Sequence, residues 1–391
     1  MLLAHLADTH LGYAQYGLEE REEDFMEVFR EAVERALEDH VEVIVHSGDV
    51  FHDPRPRIKT LKQFRDVVKA LAERGVPLVT VPGSHDMQRR RGMPPVALFD
   101  DLGVRVLTTK APVWEYRGVM FAGFQYLPRH RRGLMLELLG SLGGRAAGHG
   151  GKSVLVLHQG LKQLIPVSFE LSLSELPKAF HYYAMGHIHK PYAVPYGKGV
   201  LAYPGSTEVV SVSEIPHIGD KGFYMVDLSG DSPEVSRVKL ERVRPQYLYE
   251  VKPGKVSSIL PRALSDAVRA GARKPVVHIR VLGEPERRDV ESLRVKLEPL
   301  CLKVRVEVRP EGEEEGEEQE LQETIDLRKA LENYLTQTLG KRGATLASLA
   351  YELLSVLSAE GYSTDEAVRR AIREVEEAYE GVLVEGREAG T

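Results

Sequence analysis

At 391 residues the chain exceeds one ordinary domain, and about 150 residues per domain predicts two or three. With 42% hydrophobic and 28% charged residues it is neither disordered nor collagen-like, and its single cysteine, Cys301, excludes an internal disulfide or a thiolate metal cluster and fits a reducing compartment. The net charge of −6 argues against a nucleic-acid binder only until it is located: residues 311–320, EGEEEGEEQE, hold seven Glu, which leaves the other 381 residues at +1.

The chain opens on MLLAHLADTHLG, too short an apolar run to be a secretory signal and without a basic leader. Nowhere do 18 apolar residues run together, so a soluble, cytoplasmic protein with no membrane association is expected. Residues 2–7, 41–45, 78–81, 104–107, 119–124, 154–157, 182–185 and 223–228 are short runs rich in Val, Leu and aromatics, and read as buried strands. Between the first two, Phe25, Val28, Phe29, Ala32 and Ala36 recur at helical spacing; between the second and third, Leu61, Phe64, Val68 and Leu71 do the same. The alternation predicts an α/β class, with a layered core over residues 1–242.

A smaller α/β unit follows over 245–310: strand 247–251, helix 256–270, strand 275–282, helix 287–299 and strand 302–308. The Glu/Gly run, 311–321, has no apolar face to bury and reads as a solvated linker. Residues 322–384 are helical in pattern, broken at 340–343 and at Gly361, with Ser363 and Glu366 forming a capping box. Leu346, Leu349, Leu353, Leu354 and Leu357 make the most apolar stripe of this segment, suited either to a miniature bundle core or to a partner.

Five polar clusters close predicted strands: ADTH (Asp8, His10), SGDVFH (Asp49, His52), PGSHD (Ser84, His85, Asp86), LHQG (His158) and MGHIH (His187, His189). In open α/β sheets the loops at the carboxyl edge converge, so five such clusters in one chain point to a shared site. The alternation in Asp8-Thr9-His10 and His187-Ile188-His189 is expected to send both polar side chains of each trio to one side of an extended backbone. Imidazoles and carboxylates without thiolates suit Mn²⁺, Fe or Zn²⁺, and Asp49, alone on its strand end, is placed to bridge two ions. Three basic clusters lie in loops downstream: Arg55, Arg57 and Lys59; Arg89, Arg90 and Arg91; Arg129, Arg131 and Arg132. Together they suit a polyanionic substrate.

The order D-x-H, G-D, G-x-H-D, H, G-H-x-H resembles the calcineurin-like metallophosphoesterases. HLADTHLG, GDVFHDPRP, GHIHKPY and YPGSTE (residues 203–208) resemble, more narrowly, the SbcD-type double-strand-break repair nucleases, the meiotic-recombination-eleven family. That resemblance implies two sheets flanked by helices, with two Mn²⁺ per chain, Fe or Zn being alternatives. One ion would be held by Asp8, His10, His189 and bridging Asp49, the other by Asp49, His158, His187 and Ser84, which stands where the family pattern has Asn. It implies that His85 stabilises the pentavalent phosphorus and assists the leaving 3′-oxygen. His52 stands where phosphatases of the superfamily carry Asp, and favours a nuclease. Also implied are phosphodiester hydrolysis at double- and single-stranded DNA ends by in-line attack of a metal-bridging hydroxide, a cap formed by 245–310, and a homodimer. The stripe of leucines would grip an SMC-like coiled-coil ATPase of the radiation-sensitivity-fifty family. The candidate DNA contacts are Arg55, Arg57, Arg89, Arg90, Arg91, Arg129 and Arg131. A phosphatase or cyclic-nucleotide phosphodiesterase, or a decayed DNA-binding scaffold, are the alternatives.

Overall fold

A computed structural model describes residues 1–87, 92–166 and 168–309, which fall in one compact unit. Strands β1 (Leu2–Leu6), β2 (Val43–His46), β3 (Leu78–Thr80) and β4 (Val104–Val106) lie side by side and parallel. Helices α1 (Glu19–Glu38) and α2 (Ile58–Glu73) make the first two crossovers. A second sheet is built from β5 (Val113–Tyr116), β6 (Val119–Phe124), β7 (Ser153–His158), β8 (Tyr182–Gly186), β9 (Tyr192–Tyr196) and β10 (Gly199–Tyr203), in the order β5-β6-β7-β8-β10-β9. Helix α3 (Arg132–Gly148) joins β6 to β7. The chain then returns to the first sheet as β11 (Gly222–Asp227), antiparallel beside β1, and β12 (Glu234–Lys239), antiparallel beside β11 at the edge.

The two sheets face each other because their central strands are apolar on both sides. Leu3, Val43, Val45, Val79, Val154, Val156 and Ala184 meet between the sheets, whereas Ala4, Leu6 and Ile44 face α1 and α2, and Leu155 and Leu157 face α3. With a side-chain period of 2, His158 continues the inward parity of Val154 and Val156. Among the buried polar residues of these strands, His5 sits between the sheets, within 2.7 Å of both the Tyr182 hydroxyl and Ser47 Oγ.

A third sheet of three parallel strands, β13 (Gln246–Val251), β14 (Val276–Leu282) and β15 (Lys303–Arg309), carries α4 (Leu260–Ala270) and α5 (Arg287–Leu297). The helix expected from residue 256 begins later, because Pro253–Ile259 is a 3-10 turn and Pro261 sits in the first turn of α4. Asp24 of α1 ties this sheet to the core. Its carboxylate accepts from Arg21 Nη1 (2.7 Å), Arg244 Nε and Nη2 (2.5 and 2.8 Å) and Arg273 Nη2 (2.9 Å).

The eight strands expected over residues 1–242 are all present, and β5, β9, β10 and β12 are additional. Three of these are edge strands, half-exposed and interrupted by charge or by Pro195, so they show no apolar run. The linker 311–321, the segment 322–384 with its leucine stripe, and Arg89, Arg90 and Arg91 lie outside the described residues.

Candidate metal centre

The five clusters do meet, at the carboxyl edges of the two sheets. Beyond β1 and β2 the backbones stay zipped: Asp8 N donates to Gly48 O (3.1 Å), His10 N to Asp49 O (3.0 Å) and Leu11 N to Val50 O (2.9 Å). The extended geometry expected for the two trios is not what forms. Asp8, His10, Asp49 and His187 have φ of 52°, 43°, 54° and 91°, so the chain turns left-handed at four of the clustered residues. The reason is that β1 stops at Leu6 and β8 at Gly186, before the polar residues begin. Such backbone costs of order 1–3 kcal/mol per residue and persists only where the surroundings over-determine it.

The turn after β3 is locked to the turn after β2. Asp86, fully buried, accepts from Val50 N (3.2 Å), Phe51 N (2.9 Å) and Gly83 N (2.9 Å). Gly83 admits no side chain: a Cβ there would stand 2.1 Å from Asp49 Oδ1. The second sheet is joined through the same loops. His158 donates from Nδ1 to Ser47 O (2.8 Å), and His187 N lies 3.1 Å from both oxygens of Asp8.

Two imidazole pairs result. His10 Nε2 and His189 Nε2 are 3.2 Å apart, and His158 Nε2 and His187 Nδ1 are 3.3 Å apart. Asp8 Oδ1 lies 3.7 Å from His189 Nε2, and Asp49 Oδ2 lies 3.1 Å from His158 Nε2. Asp8 with His10 and His189, and Asp8 with Asp49 and His158, form two sets whose ligand atoms all lie within 4.8 Å of one another. Ser84 Oγ donates to Asp49 Oδ2 at 3.3 Å, so its hydroxyl faces the same carboxylate oxygen as His158.

These donors fit divalent ions. Ring nitrogens that face each other, with a carboxylate in reach of each pair, are the donor types that divalent transition ions take. Their outer partners also match that role: His158 is fixed by Ser47 O, and His189 donates from Nδ1 to Glu214 Oε1 (2.9 Å). Burial opposes ionisation of Glu214, yet Lys221 and His189 hold its carboxyl well below the usual range. Burial and the neighbouring His85 keep His10 neutral, its pKa far below 6.5. Burial also disfavours charge on His158, but Asp49 outweighs it and raises the ring to about 9.

Residues 1–219 match the family model described as the calcineurin-like phosphoesterase superfamily domain. The chain is 32% identical over 298 residues to the DNA double-strand break repair protein Mre11 of Saccharolobus solfataricus, covering 74% of this chain and 77% of that one. It is 38% identical over 256 residues to the protein of the same name from Methanocaldococcus jannaschii, covering 64% and 69%. To that of Thermoplasma acidophilum it is 29% identical over 384 residues, covering 96% and 97%. The chain belongs to the Mre11 family.

In this Mre11-family chain His85 and His52 stand at the half-buried mouth, with Asp8, His10, Asp49 and His158 buried below. His85 donates from Nδ1 to His52 O (2.9 Å), and the two rings stack at 4.9 Å. Tyr13 also stacks on His52, with ring centroids 3.8 Å apart. Of the basic residues, Arg57 bonds to Glu22 (2.9 Å) and Lys59 pairs with Glu23 (3.4 Å), while exposed Arg55 is turned by its own N–H to Asp53 (2.7 Å). Arg129 and Arg131 form a 3-10 turn ahead of α3, and Arg132 bonds to Glu175. Sequence reasoning missed Glu214, Tyr13 and the clamping role of Asp86. Glu214 was detectable only as the third residue of a Ser211 capping box, which gives no hint of a histidine partner.

Proposed function

We propose that the chain is a metal-dependent DNA nuclease that processes DNA ends in double-strand-break repair, using two Mn²⁺ ions. The observation that carries this reading is the gathering of two imidazole pairs, His10/His189 and His158/His187, on Asp8 and Asp49. One ion would take Asp8, His10, His189 and Asp49; the other would take Asp49, His158, His187 and the Ser84 hydroxyl. Bound divalent ions supply a Lewis acid for the phosphate and a nucleophile active near neutral pH.

The protein's own part is positioning and proton handling. His85 is oriented through Nδ1 by the His52 carbonyl, and in this reading its ring would steady charge on phosphorus and give a proton to the leaving 3′-oxygen. His52 therefore acts on His85 through its backbone as well as its ring. Phosphate contacts from Arg55, Arg57, Arg89, Arg90, Arg91, Arg129 and Arg131 would hold DNA of any sequence, and residues 245–310 would cap it. A homodimer, a cytoplasmic location and an SMC-like ATPase gripping Leu346, Leu349, Leu353, Leu354 and Leu357 complete the proposal. Among the described residues no helix is long and apolar enough to cross a membrane.

The test compares a linear DNA duplex with a small aryl phosphodiester as substrates in Mn²⁺. Cleavage of the duplex supports the nuclease; hydrolysis of the small diester with the duplex left intact supports a phosphatase or cyclic-nucleotide phosphodiesterase instead.

A further inference from the structure

Two loops beside the centre are bound to each other by contacts that the metal ligands do not require. Tyr126, after β6, has its ring 5.7 Å from that of His187 and 6.1 Å from that of His158, and donates its hydroxyl to Glu170 Oε1 (3.1 Å). Glu170 in turn pins the base of the loop after β7: its Oε2 accepts from Gly160 N (2.7 Å), and Leu161 bridges Leu171. Just beyond that pin, Lys162 and Phe169 project from the two arms of the loop. Phe169 is approached by Arg129 from the β6 side, with the guanidinium carbon 4.5 Å from the ring centroid, and by Lys162 Nζ at 5.6 Å.

One cation on this half-buried ring would serve as loop glue, worth about 0.5–1 kcal/mol. A second adds repulsion, because two charges on one ring lie within about 10 Å of each other, roughly a Debye length. Neither Arg129 nor Lys162 is paired with a carboxylate among the described residues, unlike Arg57, Lys59 and Arg132 nearby. An arrangement that collects unneutralised cations on Phe169, next in sequence to the Glu170 that Tyr126 ties toward His187, is complementary to an anion leading out of the centre.

Resting on the nuclease reading above, we propose that Arg129 and Lys162, held by Phe169, form a binding station for the phosphate backbone of the DNA strand on the His158/His187 side of the centre. Lys162 and Phe169 are thereby added to the DNA-contacting surface, and Tyr126 and Glu170 position them.

The experiment is fluorescence anisotropy of a labelled single-stranded oligonucleotide with the full chain, in EDTA, across a NaCl series. Arg129→Gln with Lys162→Gln is expected to lower the slope of log affinity against log salt by about 1.4, two contacts at roughly 0.7 each, and to weaken binding about tenfold or more at low salt. Phe169→Leu, which keeps both charges and removes their pedestal, should weaken binding about two- to fivefold with nearly the wild-type slope. Wild-type slope and affinity in the double variant overturn the station while leaving the nuclease reading intact. A wild-type chain that binds no DNA overturns both. Should the double variant not fold, Lys162→Gln alone leaves the closer Arg129 contact in place and is expected to remove about half of the slope change; an unchanged slope there also refutes the station.

Discussion

Ser84 stands where the motif resemblance drawn from the sequence expects Asn. Its hydroxyl reaches Asp49 Oδ2 at 3.3 Å, so it is oriented toward the centre, but a neutral hydroxyl is a weaker and shorter donor than the amide oxygen of Asn. Loss of ligand strength should fall on one ion position, since the imidazoles and carboxylates are all in place. Ser84→Asn is therefore expected to lower the Mn²⁺ concentration for half-maximal nuclease activity by about tenfold. A Mn²⁺ titration that superimposes on wild type would contradict this. The ligand types were legible because each closes an apolar strand in sequence. Glu214 was not, because its histidine partner lies 25 residues away and the pairing depends on how the turn after β10 folds back. Asp86 was visible as part of PGSHD but not as a clamp, since its three backbone donors come from two separate turns.

At the scale of elements, the centre depends on turns being fastened to one another more than on the strands themselves. Asp86 satisfies three N–H groups, and two of them, Val50 and Phe51, follow Asp49 directly. Asp86→Ala leaves those groups buried and unpaired at about 1–3 kcal/mol each. The expected result is a melting temperature lower by roughly 10 °C, at about 2–4 °C per kcal/mol for a cooperative unit of about 150–250 residues, together with weaker Mn²⁺ binding by calorimetry. A variant that melts and binds Mn²⁺ like wild type would show that the zipped backbones alone hold the site. The central parallel strands were legible because both faces are buried and the runs are apolar throughout. Edge strands β9 and β12 were not, because half of each is solvated and carries charge, Ser or Pro. Nor did alternation foretell the left-handed turns at Asp8, His10 and His187, since a period-2 reading presumes that the strand continues.

At the scale of the whole molecule, buried histidines away from the ligands couple stability to pH. Burial, with His46 and Arg237 adding to it, holds His5 well below 6.5; burial, with Arg305 next, pushes His278 down to about 4. Both rings are neutral when folded and titrate near 6.5 when unfolded, so the unfolded chain binds more protons below that pH. Their contribution to stability is full above pH 6.5 and is lost as pH falls toward 4, at about 1.4 kcal/mol per unit for each ring. Melting temperature in EDTA should therefore fall between pH 6.5 and 4.5, and His278→Gln, which keeps polar atoms near Tyr16 and Gln246, should make the fall shallower. Equal slopes for the two proteins would remove His278 from the account. His278 sits on β14 and Tyr16 in the turn that follows His10, so this pair ties the third sheet to that turn, as Arg244 and Arg273 on Asp24 tie it to α1. That fastening had no signature in the sequence, where its members are more than 200 residues apart.

The most direct measurement is hydrolysis of a linear duplex by the purified chain across a Mn²⁺ titration, with Asp49→Ala as the blank. Mn²⁺-dependent cleavage that disappears in the blank is the predicted result, because Asp49 is the carboxylate against His158 and the one proposed to bridge the two ions. Cleavage that survives in Asp49→Ala, or none at saturating Mn²⁺ in wild type, would contradict a two-ion nuclease centre built on Asp49.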